Sequence, residues 1–241
     1  MQRYFQRLYQ RTMREAYGLA HRDAISALQG GGDVLDCGAS GGQLYKETLG
    51  PAGVEPDRYH GIEWHAETAA QARGLGVRHG DLNQPLPFAN ESFRCAIGLS
   101  VLEHLLKPCA FLRECHRVLE PGGTLVILTP NISTYFTAAL ILAGKMPSSG
   151  PAPDSAQLIK SEELFQVSTI EYPQDVDTDT PQHRHLVIFS FLVLRRYLRM
   201  LGFRSVRGHG FGLYPFPNWM QPMLEKLDPY HCHQMVFVAI K

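Results

Sequence analysis

The run Val34-Leu35-Asp36-Cys37-Gly38-Ala39-Ser40-Gly41-Gly42 reads as a strand that breaks into a glycine turn and then enters a helix. Glycines let a backbone approach a ligand where a Cβ would stand in the way. A helix beginning there offers unpaired N–H groups and the positive end of its dipole. Two carboxylates follow at comparable places: Glu63 in Gly61-Ile62-Glu63-Trp64 and Asp81 in His79-Gly80-Asp81-Leu82. A carboxylate ending a second strand can accept both hydroxyls of a ribose. One ending a third strand stands where an adenine amino group could lie. Either acid alone reads equally well as a solvated surface residue; their joint placement behind a glycine turn favours ligand binding. Two nucleotide signatures do not fit. A G-x-G-x-x-G fingerprint begun at Gly38 meets Ser40 and Gln43, and no Gly-Lys-Ser/Thr of a phosphate loop is present.

Elements must hold these residues at one edge. Residues 3–27 carry few breakers and predict a helix that ends at Gly30-Gly31-Gly32. Five β-like runs follow, over 33–37, 59–63, 76–79, 92–100 and 124–129. Helical stretches over 42–49, 65–73 and 108–119 separate them. In the last of these Phe111, Leu112, Cys115, Val118 and Leu119 share one face at 3.6 spacing. Pro108 suits the first turn of that helix, and Pro121-Gly122-Gly123 is expected to stop it and turn into the next strand. This alternation predicts an α/β, Rossmann-like, doubly wound sheet, mostly parallel. Residues 132–185 break the rhythm with Pro, Ser, Asp and Thr, and are expected to form an inserted lid with one short helix over 136–143. The rhythm resumes at Ser190, an N-cap residue, with a helix to Leu201 and Gly202 after it. Two runs over 203–210 and 234–240 close the sheet.

With Leu99-Ser100-Val101-Leu102-Glu103-His104-Leu105, Arg117-Val118-Leu119-Glu120-Pro121-Gly122-Gly123-Thr124-Leu125 and Thr129-Pro130-Asn131 added to the segments above, the chain resembles the class I S-adenosylmethionine-dependent methyltransferases of the type 11/12 kind. The likeness covers about residues 32–131. One departure is Ser40, where many members carry a second glycine. The resemblance implies a single methyltransferase domain with an antiparallel last strand. Its parts would be a helical segment over 1–29, a cofactor-binding core over 30–131, the lid over 132–185, and a closing helix and strands over 186–241. It implies S-adenosyl-L-methionine as cofactor, with Asp36 facing the methionine ammonium directly or through water. Gly38, Ala39, Ser40 and Gly42 would form the turn around that moiety. Glu63 would hold the ribose with Trp64 beside it, Asp81 and Leu82 would frame the adenine, and Ser100 would sit near the methyl donor. A small-molecule, sugar or lipid-precursor acceptor, methylated at oxygen, is the expected substrate. Two other readings stand beside it: a protein that binds the cofactor without catalysis, and a nicotinamide-dependent oxidoreductase, which Ser40 and Gln43 disfavour.

Candidates for proton transfer are histidines. Glu103 and His104 stand where the fourth strand hands over to the next segment, and an imidazole near its ordinary pKa can take a proton from a hydroxyl; a packing role is the alternative. Some members that methylate phenols place this pair with a further glutamate around a metal ion. Residues 99–102 hold no carboxylate, so no metal is expected. His183 and His185 precede the Ser190 helix and are further candidates for base or acceptor binding. Arg3, Arg7, Arg11 and Arg14 recur on one face of the first helix, as a solvated stripe or as a contact for an anionic partner.

Composition limits the partners. Among 241 residues Lys+Arg and Asp+Glu are 23 each, so the formal charge is zero, unlike a surface built to grip nucleic acid. No window approaches the ~18 apolar residues of a membrane span, and Met1-Gln2-Arg3-Tyr4-Phe5 lacks a signal-peptide core. Five irregularly spaced cysteines form neither a disulfide framework nor a metal knuckle, which points to the cytoplasm. Nothing in the sequence sets an oligomeric state.

Overall fold

The computed structural model describes residues 2–147, 149–151, 153 and 184–241. Helix α1 spans Gln2–Leu28, and strand β1, Val34–Cys37, follows the glycine triplet. After a π-helical turn, Tyr45–Leu49, come β2 (Tyr59–Glu63), α2 (Ala66–Gln71), β3 (Val77–His79) and β4 (Phe93–Leu99). Helix α3 (Pro108–Val118) leads into β5 (Leu119–Pro130), which is followed by α4 (Tyr135–Leu142). The C-terminal block holds α5 (Phe191–Met200), β6 (Ser205–Phe211), α6 (Gln221–Leu227) and β7 (Gln234–Ile240).

One seven-stranded sheet runs in the order β3-β2-β1-β4-β5-β7-β6. Pairings are parallel from β3 to β5, and β7 is antiparallel to both its neighbours. The fold is thus the mostly parallel, Rossmann-like α/β sheet expected, with its antiparallel last strand. Strands alternate their side chains between two helical layers. Leu35, Leu125, Ile127, Phe237 and Ala239 pack with Phe111, Leu112, Cys115 and Val118 of α3 and Phe191, Leu194 and Leu198 of α5. Val34, Cys95, Val126, Leu128, Val236 and Val238 face the other layer, against Ala16, Ala20 and Ala24 of α1. That alanine row, one per helical turn, lets α1 approach the sheet closely.

Helix α3 ends three residues before Pro121-Gly122-Gly123, and continuous pairing of the strand starts at Thr124, just after them, as expected. The helix ends at Val118 and β5 begins at once at Leu119, running through the three residues with a register shift against β4 between Phe93 and Cys95. Residues 120–123 have no register partner in β4 or β7, and Gly122 takes φ +79° there. Other expectations shift. The basic stripe on α1 is broken. Arg11 is buried at 7% exposure, donating to Glu225 of α6 and to Glu15, while Arg3, Arg7 and Arg14 are exposed. Helix α6 was not anticipated at all. Of the segment read as a lid, α4 is described, capped by Thr134 Oγ1 accepting from Thr137 N–H. Most of the remainder lies outside the described residues. Among the described residues no helix is long and apolar enough to cross a membrane.

Candidate active site

Strand β1 has β2 on one side and β4 on the other. A crevice opens at this point, where crossovers leave in opposite directions, outside the carboxyl ends of the strands. A cleft of about 220 Å³ occupies it. Gly38 lines it from the loop after β1, Glu63 and Trp64 from the end of β2, and Asp81 and Leu82 from the loop after β3. Ser100 and His104, beyond β4, complete the far side. Gly80, Asn83, Val101 and Leu105 also line it and were not anticipated.

The glycine turn is wound tightly over β2. Gly38 N–H and Ala39 N–H both donate to Ile62 O (2.9 and 3.0 Å). Gly38 has φ +84°, and a Cβ there would stand 2.4 Å from Val101 Cγ2, across the cleft wall. Ser40, which departs from the resembled family, takes the left-handed conformation itself at φ +49°. Its N–H donates to Glu63 Oε2 (2.8 Å). Glu63 Oε1 accepts from His65 N–H (2.8 Å), so this carboxylate pins the turn as well as facing the cleft. Ala39, Ser40 and Gly42 stand behind the lining; a Cβ on Gly42 would meet Leu75 Cδ1 at 2.9 Å.

Asp36 also lies behind the lining, at 5% exposure. Its Oδ2 accepts from the Tyr59 hydroxyl (2.6 Å). Burial pushes its carboxyl up to about 6, against the Tyr59 bond, and the neighbouring Glu63 charge adds to the rise. Asp81 Oδ1 accepts from both the backbone N–H and the side-chain amide of Asn83 (2.8 and 2.9 Å). Asn83 Oδ1 in turn accepts from Lys107 N–H (2.9 Å), linking the loops after β3 and β4. Ser100 adopts φ +55°, a conformation unfavourable for a side chain. Its N–H donates to Leu128 O (2.8 Å), and its Oγ shares a 3.2 Å hydrogen bond with the Tyr17 hydroxyl of α1. Burial raises the Tyr17 phenol, so it stays protonated there. Tyr17 was missed because nothing in α1 marks which tyrosine meets the end of β4.

The histidine candidates divide. His104 lines the cleft, and His185 lies next to it with ring centroids 5.1 Å apart. His104 Nδ1 donates to Arg184 O (3.0 Å) and His185 Nδ1 to Ser149 O. A carbonyl only accepts, so both rings carry hydrogen on Nδ1 and the lone pair of the neutral ring on Nε2. Burial lowers the pKa of His185, opposed by the Glu103 charge. Glu103 is 2% exposed and sits behind His104, its Oε2 accepting from Thr129 Oγ1 (2.9 Å). Its backbone O accepts from Leu186 N–H (2.7 Å), which straps the 184–187 segment across the end of β4. The ligand atoms of Glu103, His104 and His185 lie within 4.8 Å of one another. His183 lies outside the described residues. His231 Nδ1 pairs with Asp228, and the aromatic Trp219 is 81% exposed, away from the cleft.

A family model described as a methyltransferase domain matches residues 35–127. The likeness to that family is confined to these residues, which are less than half of the chain. The matched stretch runs from β1 through most of β5 and contains every strand-end loop that lines the cleft. A probable S-adenosylmethionine-dependent methyltransferase of Mycolicibacterium smegmatis is 35% identical over 121 residues, 48% of this chain and 43% of that one. A ubiquinone biosynthesis O-methyltransferase of Parvibaculum lavamentivorans is 35% identical over 100 residues, 40% of each chain. The chain therefore spans less than half the length of these curated relatives. The crystal structure of a SAM dependent methyltransferase from Archaeoglobus fulgidus superposes with TM-score 0.58 at 17% identity, over 95% of this chain and 94% of that one. At that identity the likeness is one of fold, and it extends beyond residues 35–127.

Proposed function

We propose that the protein is an S-adenosylmethionine-dependent methyltransferase acting on a small-molecule, sugar or lipid-precursor acceptor at oxygen. The observation that carries this reading is the cleft, where Gly38, Glu63 and Asp81 converge on one side and Ser100 and His104 stand at the other. In this reading Glu63 accepts the ribose hydroxyls through the lone pairs that Ser40 and His65 leave open; a carboxylate has about four such sites. Asp81, oriented by Asn83, accepts from the adenine amine, and Trp64, 45% exposed at the rim, offers a ring face to the base. Asp36 reaches the ammonium through water from behind Gly38. The O-methyltransferases among the relatives support oxygen as the acceptor atom. The five cysteines, all unbridged, support a reducing compartment such as the cytoplasm.

The methyl group arrives activated on a sulfonium, so the chain contributes alignment and a site poor in water. The acceptor oxygen forms a bond to the methyl carbon as the carbon–sulfur bond breaks, leaving a neutral thioether. The hydroxyl proton passes to Nε2 of His104, whose tautomer the Arg184 carbonyl sets. His104→Ala should lower turnover about 10²–10⁴-fold with cofactor affinity unchanged, and His104→Gln should not restore it. Near-wild-type turnover of either variant on a hydroxyl acceptor would remove His104 from proton transfer.

The test of the whole reading is calorimetric titration with S-adenosylmethionine, and with NADH alongside. Transfer of labelled methyl into a cell extract, with mass spectrometry of the product, then separates catalysis from binding alone. Binding of NADH in preference to S-adenosylmethionine would overturn the reading.

A further inference from the structure

We propose that Tyr17 of α1 positions the Ser100 hydroxyl as a hydrogen-bond donor into the cleft, and that this hydroxyl holds the carboxylate at the methionine end of the cofactor. The cofactor named here rests on the methyltransferase reading above. Two observations at Ser100 carry the assignment. First, Ser100 lines the cleft yet holds φ +55°, where an L side chain is disfavoured. Such a conformation persists only where its surroundings fix it, and residues of this kind cluster at sites of function. Two contacts fix it here: Ser100 N–H donates to Leu128 O (2.8 Å), and Oγ meets the Tyr17 hydroxyl at 3.2 Å. Second, that hydroxyl contact sets the direction of the hydrogens. Burial raises the Tyr17 phenol, and the Glu103 and Asp36 charges add to the rise, so it keeps its proton. Among the described residues Ser100 Oγ is the one hydrogen-bond partner of the Tyr17 hydroxyl. A buried phenol gives its hydrogen to an acceptor, so Tyr17 donates and Ser100 accepts. The Ser100 hydrogen is then left to point into the cleft.

Strand order says what that hydrogen meets. Along the edge Asp81 follows β3, Glu63 ends β2, Gly38 follows β1 and Ser100 follows β4. With adenine at Asp81 and ribose at Glu63, the amino-acid arm of the cofactor extends toward β1 and β4. That arm carries one cation and one anion. Asp36, behind Gly38, suits the ammonium. Asp36 and Glu103 are both buried near this end of the cleft, and their charges repel an anion unless a donor holds it. The Ser100 hydroxyl is such a donor, and a hydrogen bond to an ionised acceptor is stronger than a neutral one. The Tyr17 ring packs edge-on against His21, 5.7 Å between centroids, which keeps the phenol aimed at Ser100. Helix α1 thereby takes part in the cofactor site although it lies outside residues 35–127.

The test is calorimetric titration of the full chain with three probes. S-adenosylmethionine carries both the sulfonium and the carboxylate. S-adenosylhomocysteine keeps the carboxylate and lacks the sulfonium charge, and decarboxylated S-adenosylmethionine keeps the sulfonium and lacks the carboxylate. Ser100→Ala should weaken the first two about 10–150-fold, and Tyr17→Phe about 3–10-fold. Both variants should melt as folded proteins and bind the decarboxylated probe within twofold of wild type, a pattern that general loosening of the site does not give. The double variant should bind no more weakly than Ser100→Ala, because Tyr17 acts through Ser100. Additive losses in the double variant, equal losses for all three probes, or wild-type affinity in both single variants would overturn the assignment. So would a loss that spares S-adenosylhomocysteine, since it would set Tyr17 against the sulfonium. A folded wild-type chain that binds none of the three probes would strike the methyltransferase reading and the assignment with it; where wild type binds them, the other outcomes strike the assignment alone.

Discussion

Glu63 has two tasks. It faces the cleft, and it holds the glycine turn through Ser40 and His65. Glu63→Ala should therefore weaken S-adenosylmethionine about 10–150-fold, the worth of charge-assisted hydrogen bonds at about 1.5–3 kcal/mol. It should also lower Tm, because two backbone donors lose their acceptor. Calorimetric affinity within twofold of wild type would exclude Glu63 from the ribose contact. Asp36 gives a pH signature. Its folded-state pKa of about 6 lies above the ordinary value of 3.8. Its contribution to stability is thus fully present below about pH 4 and is lost as pH rises through about 6. The two-unit rise corresponds to about 3 kcal/mol. Asp36→Asn keeps an acceptor for the Tyr59 hydroxyl without the buried charge. The cofactor-free variant should match wild type near pH 4 and exceed it by up to that amount at pH 8. Thermal melts across this range check it, and a constant difference would show that Asp36 titrates normally.

At the scale of elements, α1 is held to the far end of the sheet by a buried ion pair. Arg11 meets Glu225 of α6 at 2.7 Å, with side-chain exposures of 7% and 8%, and Glu225 Oε1 also accepts from Gly212 N–H. Glu225→Ala leaves Arg11 buried without that partner and should cost about 3–5 kcal/mol in urea unfolding. The double variant Arg11→Met/Glu225→Leu should recover part of this, since it removes both charges. If Glu225→Ala costs under about 1 kcal/mol, the contact is no more than a surface pair. This pair explains why the helix face that reads as a basic stripe is interrupted. Spacing shows that four arginines align; only the docking of α6 makes one of them a buried partner. In β5 the local signal of Pro121-Gly122-Gly123 holds: the register with β4 passes over these residues and resumes at Thr124, as the sequence suggests.

For the whole molecule, cofactor binding and stability are linked. At a ligand concentration of about 100 times Kd the folded state gains about 2.7 kcal/mol. For a chain of this size that raises Tm by roughly 5–11 °C. Gly38→Ala should abolish the shift, because its Cβ meets Val101 across the cleft and its φ of +84° disfavours any side chain. A differential scanning fluorimetry shift equal to wild type in Gly38→Ala would place the ligand elsewhere.

What the sequence by itself determined was local in nature. Alternating apolar runs marked β1 to β5, because each strand must bury one set of side chains under each helical layer. The glycine turn, Glu63 and Asp81 were legible as strand-end residues, and parallel strands put such ends along one edge. Tertiary structure decided what stands opposite that edge. Tyr17 reaches Ser100 across 83 residues, and Arg184 meets His104 across 80. The segment that brings His185 beside Glu103 lies far along the chain from β4. No periodicity records such meetings, since they depend on strand order and on α1 and α5 covering opposite faces.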